Sequence, residues 1–402
     1  MDLSSELIHA LLPLYMAVGL GASTLTIGIV EGIAEATALI VKVFSGVISD
    51  FFRRRKPLVV LGYGLAAFTK LVFPLAPTLG WIVTARFADR VGKGIRGAPR
   101  DALIADLSPP EVRGASFGLR QALDTVGGIG GPLLAIGAML VFAGDFQVAF
   151  WVAVVPAFLA LALLVFGVEE PARPKSGPGS DAGKGAKRLR VADAKRLGRD
   201  YAVVVGIAAI LTLARFSEAF LVLRAQNVGL PTAMAPWVMV VMSIVYAAVS
   251  YPAGAAADRG HGPRLLSAGL IALIVSDLVL ANAHDGLTVF AGAALWGLHM
   301  GLTQGLLAAL VAASAPADLR GTAFGVFNLV CGIALLIASI LAGGLWDAFG
   351  PAFTFYAGAA LSLIAWIALL RHGMSPPGRP KGEYRSAKRE GTPASAMELR
   401  RS

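Results

Sequence analysis

The residues best suited to chemistry in this sequence are ionisable side chains set inside long apolar runs. In one run, V-E-G-I-A-E-A-T-A-L-I-V-K, Glu31, Glu35 and Lys42 share one stripe of a helix at about 100° per residue. A second is denser, R-F-A-D-R-V-G-K-G-I-R-G-A-P-R-D, where Arg86, Arg90 and Lys93 fall within about 60° of one another and Asp89 stands beside them. Arg120, Gln121 and Asp124 follow, with Arg120 and Asp124 spaced to pair on one helix face. Later, Arg215 and Glu218 lie in L-A-R-F-S-E-A-F and read as a mid-helix pair. Tyr246, His299, Gln304 and Asn328 are the polar groups of the remaining apolar runs. A charge at a bilayer centre costs at least ~2.5–3.5 kcal/mol unless it is paired or wet. Charges kept at that cost face a pore, bind a solute, carry protons or balance one another. Glu35 is the candidate proton carrier with Lys42 as its partner, and Asp89 is the expected partner of Arg90. Glu31, near the start of its run, reads equally as a headgroup contact. Arg96, Arg100 and Asp101 read as a helix end with snorkelling cations, and Lys70 has no side assigned.

These residues need spans to hold them. The 402 residues are 56% hydrophobic and 15% charged, which excludes a soluble enzyme. Apolar runs broken by polar turns predict twelve spans, at 7–22, 28–50, 57–75, 80–106, 113–142, 146–168, 202–225, 233–256, 264–282, 287–314, 321–345 and 351–371. The expected organisation is a first six-helix half over 1–168, a linker over 169–201, a second half over 202–371 and a tail over 372–402. Net charge +10 does not point to nucleic acid, because the basic residues gather in alternate loops beside apolar runs. Arg53, Arg54, Arg55 and Lys56, then Arg113, the linker, Arg259 and Arg264, Arg320 and the tail share one side, and the opposite loops contain no Lys or Arg. By the positive-inside rule both termini and the linker are cytoplasmic. The first Lys or Arg is Lys42, so no cleaved signal peptide is expected.

The chain also repeats itself. P-E-V-R-G-A-S-F-G matches P-A-D-L-R-G-T-A-F-G so that Arg113 meets Arg320, 207 residues on, and Gly46-x-x-x-Asp50 meets Gly254-x-x-x-Asp258 at an offset of 208. Matched loops fall on the same side, so the two six-helix repeats are parallel, an arrangement that places a solute site at their interface near the midplane. V-G-L at 18–20 matches V-G-L at 228–230, which puts the counterpart of Tyr201 at position −9. The first helix is therefore expected to be short at its linker end, or the natural start to lie upstream.

In G-V-I-S-D-F-F-R-R-R-K, G-A-A-A-D-R-G-H-G-P-R, R-V-G-K-G and G-G-I-G-G-P, set at these places of a duplicated twelve-span chain, the sequence resembles a bacterial major facilitator superfamily permease over nearly its whole length. The resemblance implies an all-α membrane protein of two parallel six-helix repeats in the cytoplasmic membrane. It implies gate roles for Asp50, Arg113, Asp258, Arg259 and Arg320, and a coupling role for Arg90 in the motif that Gly94 completes. Gly127, Gly131 and Pro132 match part of a motif associated with proton-exchanging exporters, although the paired glycines that usually follow are replaced by L-L-A-I-G. Phe51 and Arg53 also depart from the family's first gate loop.

The reading is a proton-coupled secondary transporter of a small anionic or zwitterionic organic solute or drug, with export preferred over uptake of a metabolite or siderophore. Its cavity is lined by more cations than acids, and Glu35, Asp124 and Glu218 are candidates to exchange protons. A monomer in the lipid bilayer is expected. No phosphate-binding G-x-x-x-x-G-K-[ST] and no catalytic constellation is present, so neither ATP-driven transport nor an enzyme is expected. A non-transporting sensor would have shed its buried charges and gate residues, which remain. Five His and one Cys form no cluster with ligand spacing, so no metal or cofactor is expected.

Overall fold

A computed structural model of the chain describes residues 1–52, 55–109, 112–169, 197–316 and 319–372. Among these residues the ordered elements are all helical. That is what a chain in hydrocarbon requires, because helices satisfy their own backbone. The first half contains α1 (Asp2–Leu14) with a π turn (Tyr15–Gly19), α2 (Thr24–Phe52), α3 (Lys56–Leu75), α4 (Leu79–Leu107), α5 (Arg113–Val141) and α6 (Phe146–Gly167). The second contains α7 (Gly198–Ala214), α8 (Ala219–Asn227), α9 (Trp237–Ala256) with a π turn (Ala257–His261), α10 (Gly262–Ala281), α11 (Gly286–Ser314), α12 (Arg320–Phe349) and α13 (Pro351–His372).

Nine spans of the described residues are long and apolar enough to cross a membrane, with α7 and α8 counted as one. The crossings that complete twelve are α1 with its π turn, α2 and α4. The last two have 29 residues each and carry the ionisable side chains singled out in the sequence. The repeat is visible in the helix limits, since α4 and α11 each have 29 residues and start 207 positions apart. The expected linker and tail fall outside the described residues, apart from residues 169 and 197–201 of the linker and residue 372 of the tail. Where the repeat sets α1 and its π turn against α7 and α8, the first runs from Asp2 to Gly19 and the second from Gly198 to Asn227.

One expectation fails. The seventh span is not a continuous helix but breaks between Ala214 and Ala219, so Arg215 and Glu218 are not a mid-helix pair. Arg215 leaves the helix at φ −105°, ψ 83°. Side chains take over the freed backbone groups: the Ser339 hydroxyl accepts from the Ser217 N–H at 3.3 Å, and the Ser217 hydroxyl accepts from the Ala219 N–H at 3.3 Å. Such repair makes an interruption tolerable at membrane depth.

The halves meet along two unequal seams. Along one, Gly28 and Gly32 of α2 face the Ser339 and Leu336 carbonyls of α12, and Gly343 of α12 faces the Thr24 carbonyl, so the backbones lie in contact. A Cβ at Gly28 or Gly343 would collide with the facing carbonyl, and one at Gly32 would fit only tightly. Along the other seam α5 and α9 approach at Gly128 and Ser243. Toward the linker end they part around a cleft of about 760 Å³ lined by Gly118, Gln121, Thr125, Tyr246, Ser250 and Gln304 among others.

The opposite end is closed. There a single apolar core joins Leu7 through Met16 to Phe216, Phe220, Leu221 and Met239 across both halves. Asp347, at the end of α12, accepts from the backbone N–H groups of Thr24 and Leu25 at 3.1 and 2.8 Å and so caps α2 from the other half. The closed end and the cleft together give a molecule open toward the linker end.

Candidate functional site

The site is built on a ladder between α2 and α4. Glu31 and Glu35 stand one turn apart on α2, as do Arg86 and Arg90 on α4, so two ion pairs form in the same register. Arg86 Nη2 meets Glu31 Oε2 at 2.7 Å, and Arg90 Nη2 meets Glu35 Oε1 at 3.1 Å. Close helix approach makes this possible, since Gly94 lies against Val41 and its carbonyl accepts from the Ser45 hydroxyl at 2.9 Å. Glu31 and both arginines are sealed from solvent, at 1% exposure or less, whereas the Glu35 side chain keeps 24%. Glu35 is thus the member of the ladder that opens to a cavity.

Three expectations about partners are corrected here. Glu31 is not a headgroup contact, because it is fully buried against Arg86. Lys42 is exposed and does not pair with Glu35, whose cation is Arg90. Asp89 does not serve Arg90 but points across to α3, where its carboxylate accepts from Lys70 Nζ at 2.8 Å in a fully buried pair. A helix carrying charge on several faces needs partners on several neighbours, and the sequence periodicity of α4 alone does not say which.

Beside the ladder is a cavity of about 240 Å³ lined by Glu6, His9, Glu35, Lys93, Arg215, Phe216, Ser217, Glu218 and Leu335. Both halves contribute. The interruption between α7 and α8 supplies Arg215, Ser217 and Glu218, and α1, α2 and α4 supply the other ionisable groups. His9 lies 3.5 Å from Glu6 and 3.7 Å from Glu31, with Nε2 free of a hydrogen-bond partner among the described residues. Ligand atoms of His9, Glu31 and Glu35 lie within 4.8 Å of one another, a spacing a metal ion could use. Two guanidinium groups already engage both carboxylates, so a divalent cation would have to displace them.

Nearer the linker end a second network joins α1, α4 and α5. Arg96, only 3% exposed, meets Asp2 at 3.3 Å and lies over the Tyr63 ring, so it is a buried tie and not a snorkelling end. Arg100 lies 3.9 Å from Asp2 and 3.6 Å from Asp124, and Arg120 reaches Asp101 at 2.9 Å and Asp124 at 3.3 Å. The Arg120 and Asp124 pair therefore exists within a wider web that Asp101 shares. Gln121, Tyr246 and Gln304 line the cleft between α5, α9 and α11. His299 is fully buried, with Nδ1 2.9 Å from the Gly269 carbonyl, while half-buried Asn328 of α12 is not among the residues that line either hollow. Arg259 is exposed, and the side chains of Asp50, Arg113, Asp258 and Arg320 fall outside those described.

Sequence reasoning passed over Asp2, Glu6, His9 and Ser217. Their signal was weak, since Glu6 and His9 lie near the start of the first apolar run, where polar residues are common. Asp277 was also missed, though it is the sole acid of its span and meets the same criterion as Glu35.

Twelve crossings in two repeats around a charged central cavity define the architecture of a secondary transporter. The family model of the Major Facilitator Superfamily matches residues 1–223 and again 204–402, and the chain belongs to that superfamily. An uncharacterised MFS-type transporter of Methanocaldococcus jannaschii is 34% identical over 381 residues, covering 92% of this chain and 91% of that protein. The inner membrane transport protein YajR of Escherichia coli is 25% identical over 373 residues, covering 89% and 77%. The fold is shared with a bacterial homologue of the human lysosomal transporter Spinster, at a TM-score of 0.70 and 15% identity over 93% of this chain and 96% of that one. The chain is thus an integral membrane protein of a transporter family.

Proposed function

We propose that this protein moves a small zwitterionic or anionic organic solute by alternating access, coupled to proton exchange, with export as the preferred direction. One observation carries the reading: the cavity between the halves presents acids (Glu6, Glu35, Glu218) and bases (His9, Lys93, Arg215) to the same small space. A solute bearing both signs satisfies such a wall, whereas a purely apolar one leaves its charges unmatched. Of the sequence candidates, Glu35, Lys93, Arg215 and Glu218 contact the solute, and Arg86, Arg90 and Glu31 hold Glu35 in place. Arg120 and Asp124 brace the linker end. That end is cytoplasmic by the distribution of Lys and Arg, so the conformation is inward-open. Asp50 and its repeat partner Asp258 act in the gate there.

Proton exchange follows from the sharing of Arg90. Glu35 faces the cavity and Arg90 balances it, so protonation of Glu35 frees a cation for an anionic group of the solute, and each event changes the other's affinity by the same factor. The partial match around Gly127, Gly131 and Pro132 supports export. The test is a ligand-dependent thermal shift of the purified protein against amino acids, peptides, organic acids, drugs and siderophores, followed by flux of each hit in proteoliposomes under a pH gradient of either sign. Stabilisation by zwitterions, with flux that reverses with the gradient, is expected. Stabilisation by hydrophobic cations alone would overturn the assignment of solute class, and flux indifferent to the gradient would overturn proton exchange.

A further inference from the structure

Asp277 lies in α10, outside the central cavity, and is fully buried. Neither carboxylate oxygen has a hydrogen-bond partner among the described residues, and no ion pair there includes it. Its surroundings are apolar or bonded elsewhere, apart from the buried Trp296 indole N–H, which has no hydrogen-bond partner among the described residues. On α11 the nearest ionisable group is His299, which bonds to the Gly269 carbonyl about two turns away along α10. On α13 the neighbour is Gly358, where a Cβ would come within 2.7 Å of Asp277 Oδ2. Phe216, from the interruption between α7 and α8, touches the same spot and packs its ring on Trp296 and Phe355. Arg215 and Glu218 of that interruption line the cavity instead, and Tyr356 of α13 donates to Asn282.

The repeat sharpens the anomaly. An offset of 207 places Asp277 on Lys70 and Trp296 on Asp89. In the first half those two positions hold a buried ion pair at 2.8 Å. In the second the acid stands in the place of the cation, and the position across from it is a tryptophan whose indole N–H is also without a partner among the described residues. An isolated carboxylate sealed from water is far costlier than the neutral acid.

We propose that Asp277 is a proton-binding site of the second half, separate from the central cavity, loaded in this conformation and emptied when Phe216 and the interrupted segment move. The proton comes from water and returns to water, and no other reactant is involved. Because Phe216 meets Asp277 at Gly358 and itself lines the cavity, the load on Asp277 and the shape of the cavity are linked. The site itself does not depend on the transport reading, whereas its consequence for flux rests on it.

Infrared difference spectroscopy of the purified protein in nanodiscs tests the site without any solute. The wild type at neutral pH should show a protonated-carboxyl C=O band that is lost in Asp277→Asn and shifted in Asp277→Glu. A spectrum unchanged by both substitutions would show an ionised Asp277 and sink the proposal. The linkage is read with Ser217→Cys in a Cys331→Ser background, labelled at mildly acidic and mildly alkaline pH. After correction for thiol ionisation, the labelling rate should change with pH and lose that change when Asp277→Asn is added. A pH response that survives Asp277→Asn would overturn the linkage. Failure of proton-driven flux with both results intact would count against the transport reading only.

Discussion

The α3 and α4 pair and its repeat, α10 and α11, have helix limits that match at offsets of 206 and 207 residues, and opposite electrostatics. In the first pair Lys70 and Asp89 neutralise each other out of reach of water, and Arg86 and Arg90 do the same with Glu31 and Glu35 of α2. In the second pair Asp277 and the Trp296 indole N–H are buried without a partner among the described residues, and His299 bonds to the Gly269 carbonyl. A duplicated scaffold therefore tolerates either solution at one position. The first half pairs each of these buried charges, and only Glu35 of the ladder opens to the cavity. The second holds a lone buried acid beside a helix break.

The largest expected effect is on flux. Arg90→Ala should abolish coupled movement in proteoliposomes, because Glu35 is left facing the cavity without its cation, and Arg90→Lys should keep weak binding with poor turnover, since it lacks the planar fork. Arg90→Ala moving solute against a pH gradient at the wild-type rate would make Arg90 structural and return the coupling site to Arg215 and Glu218.

Next comes stability. Lys70→Met strands a buried carboxylate and should cost about 3–5 kcal/mol, most of it recovered when Asp89→Leu is added. The repeat-related substitution, Asp277→Leu, should leave stability unchanged or raise it, because it removes an acid that has no partner among the described residues. Unfolding in detergent measures all of these, and equal losses from Lys70→Met and Asp277→Leu would erase the contrast between the halves. A smaller effect, about 1 kcal/mol, is expected for Asp347→Ala, which uncaps α2 at the closed end. Its clearer readout is faster labelling of a cysteine at Thr24. Least of all, Lys187→Ala with Arg188→Ala should leave flux within error, because the sequence sets these charges in a polar stretch outside the apolar runs.

The crossings, the repeat and the charged runs were legible in the sequence because hydrocarbon permits few alternatives: an apolar run long enough to span must be a helix, and a charge inside it must be paired or wet. The partners were not legible. Stripe angles say which residues share a face of α4 but not that Asp89 looks to α3 while Arg90 looks to α2, because that depends on how α4 is rotated between two neighbours. The break after Ala214 was equally hidden, since L-A-R-F-S-E-A-F contains neither Gly nor Pro, and the repair comes from Ser339, far along the chain. Asp277 was available to the same reasoning that found Glu35, but a lone acid gives no pattern, and patterns drew the reading toward α2 and α4.

Where Gly28, Gly32 and Gly343 lay α2 and α12 backbone on backbone, the molecule has the spine of a book, and the parted α5 and α9 are its fore-edge. A book opens by turning about its spine. Displacements during the cycle should then grow from almost nothing at Gly32 to their greatest at Gly118 and Tyr251, and spin labels placed across the two seams should report very unequal distance changes. A methyl group at Gly28 would do more than loosen a contact. It would shift the fulcrum, and with it the travel of every residue on the far edge.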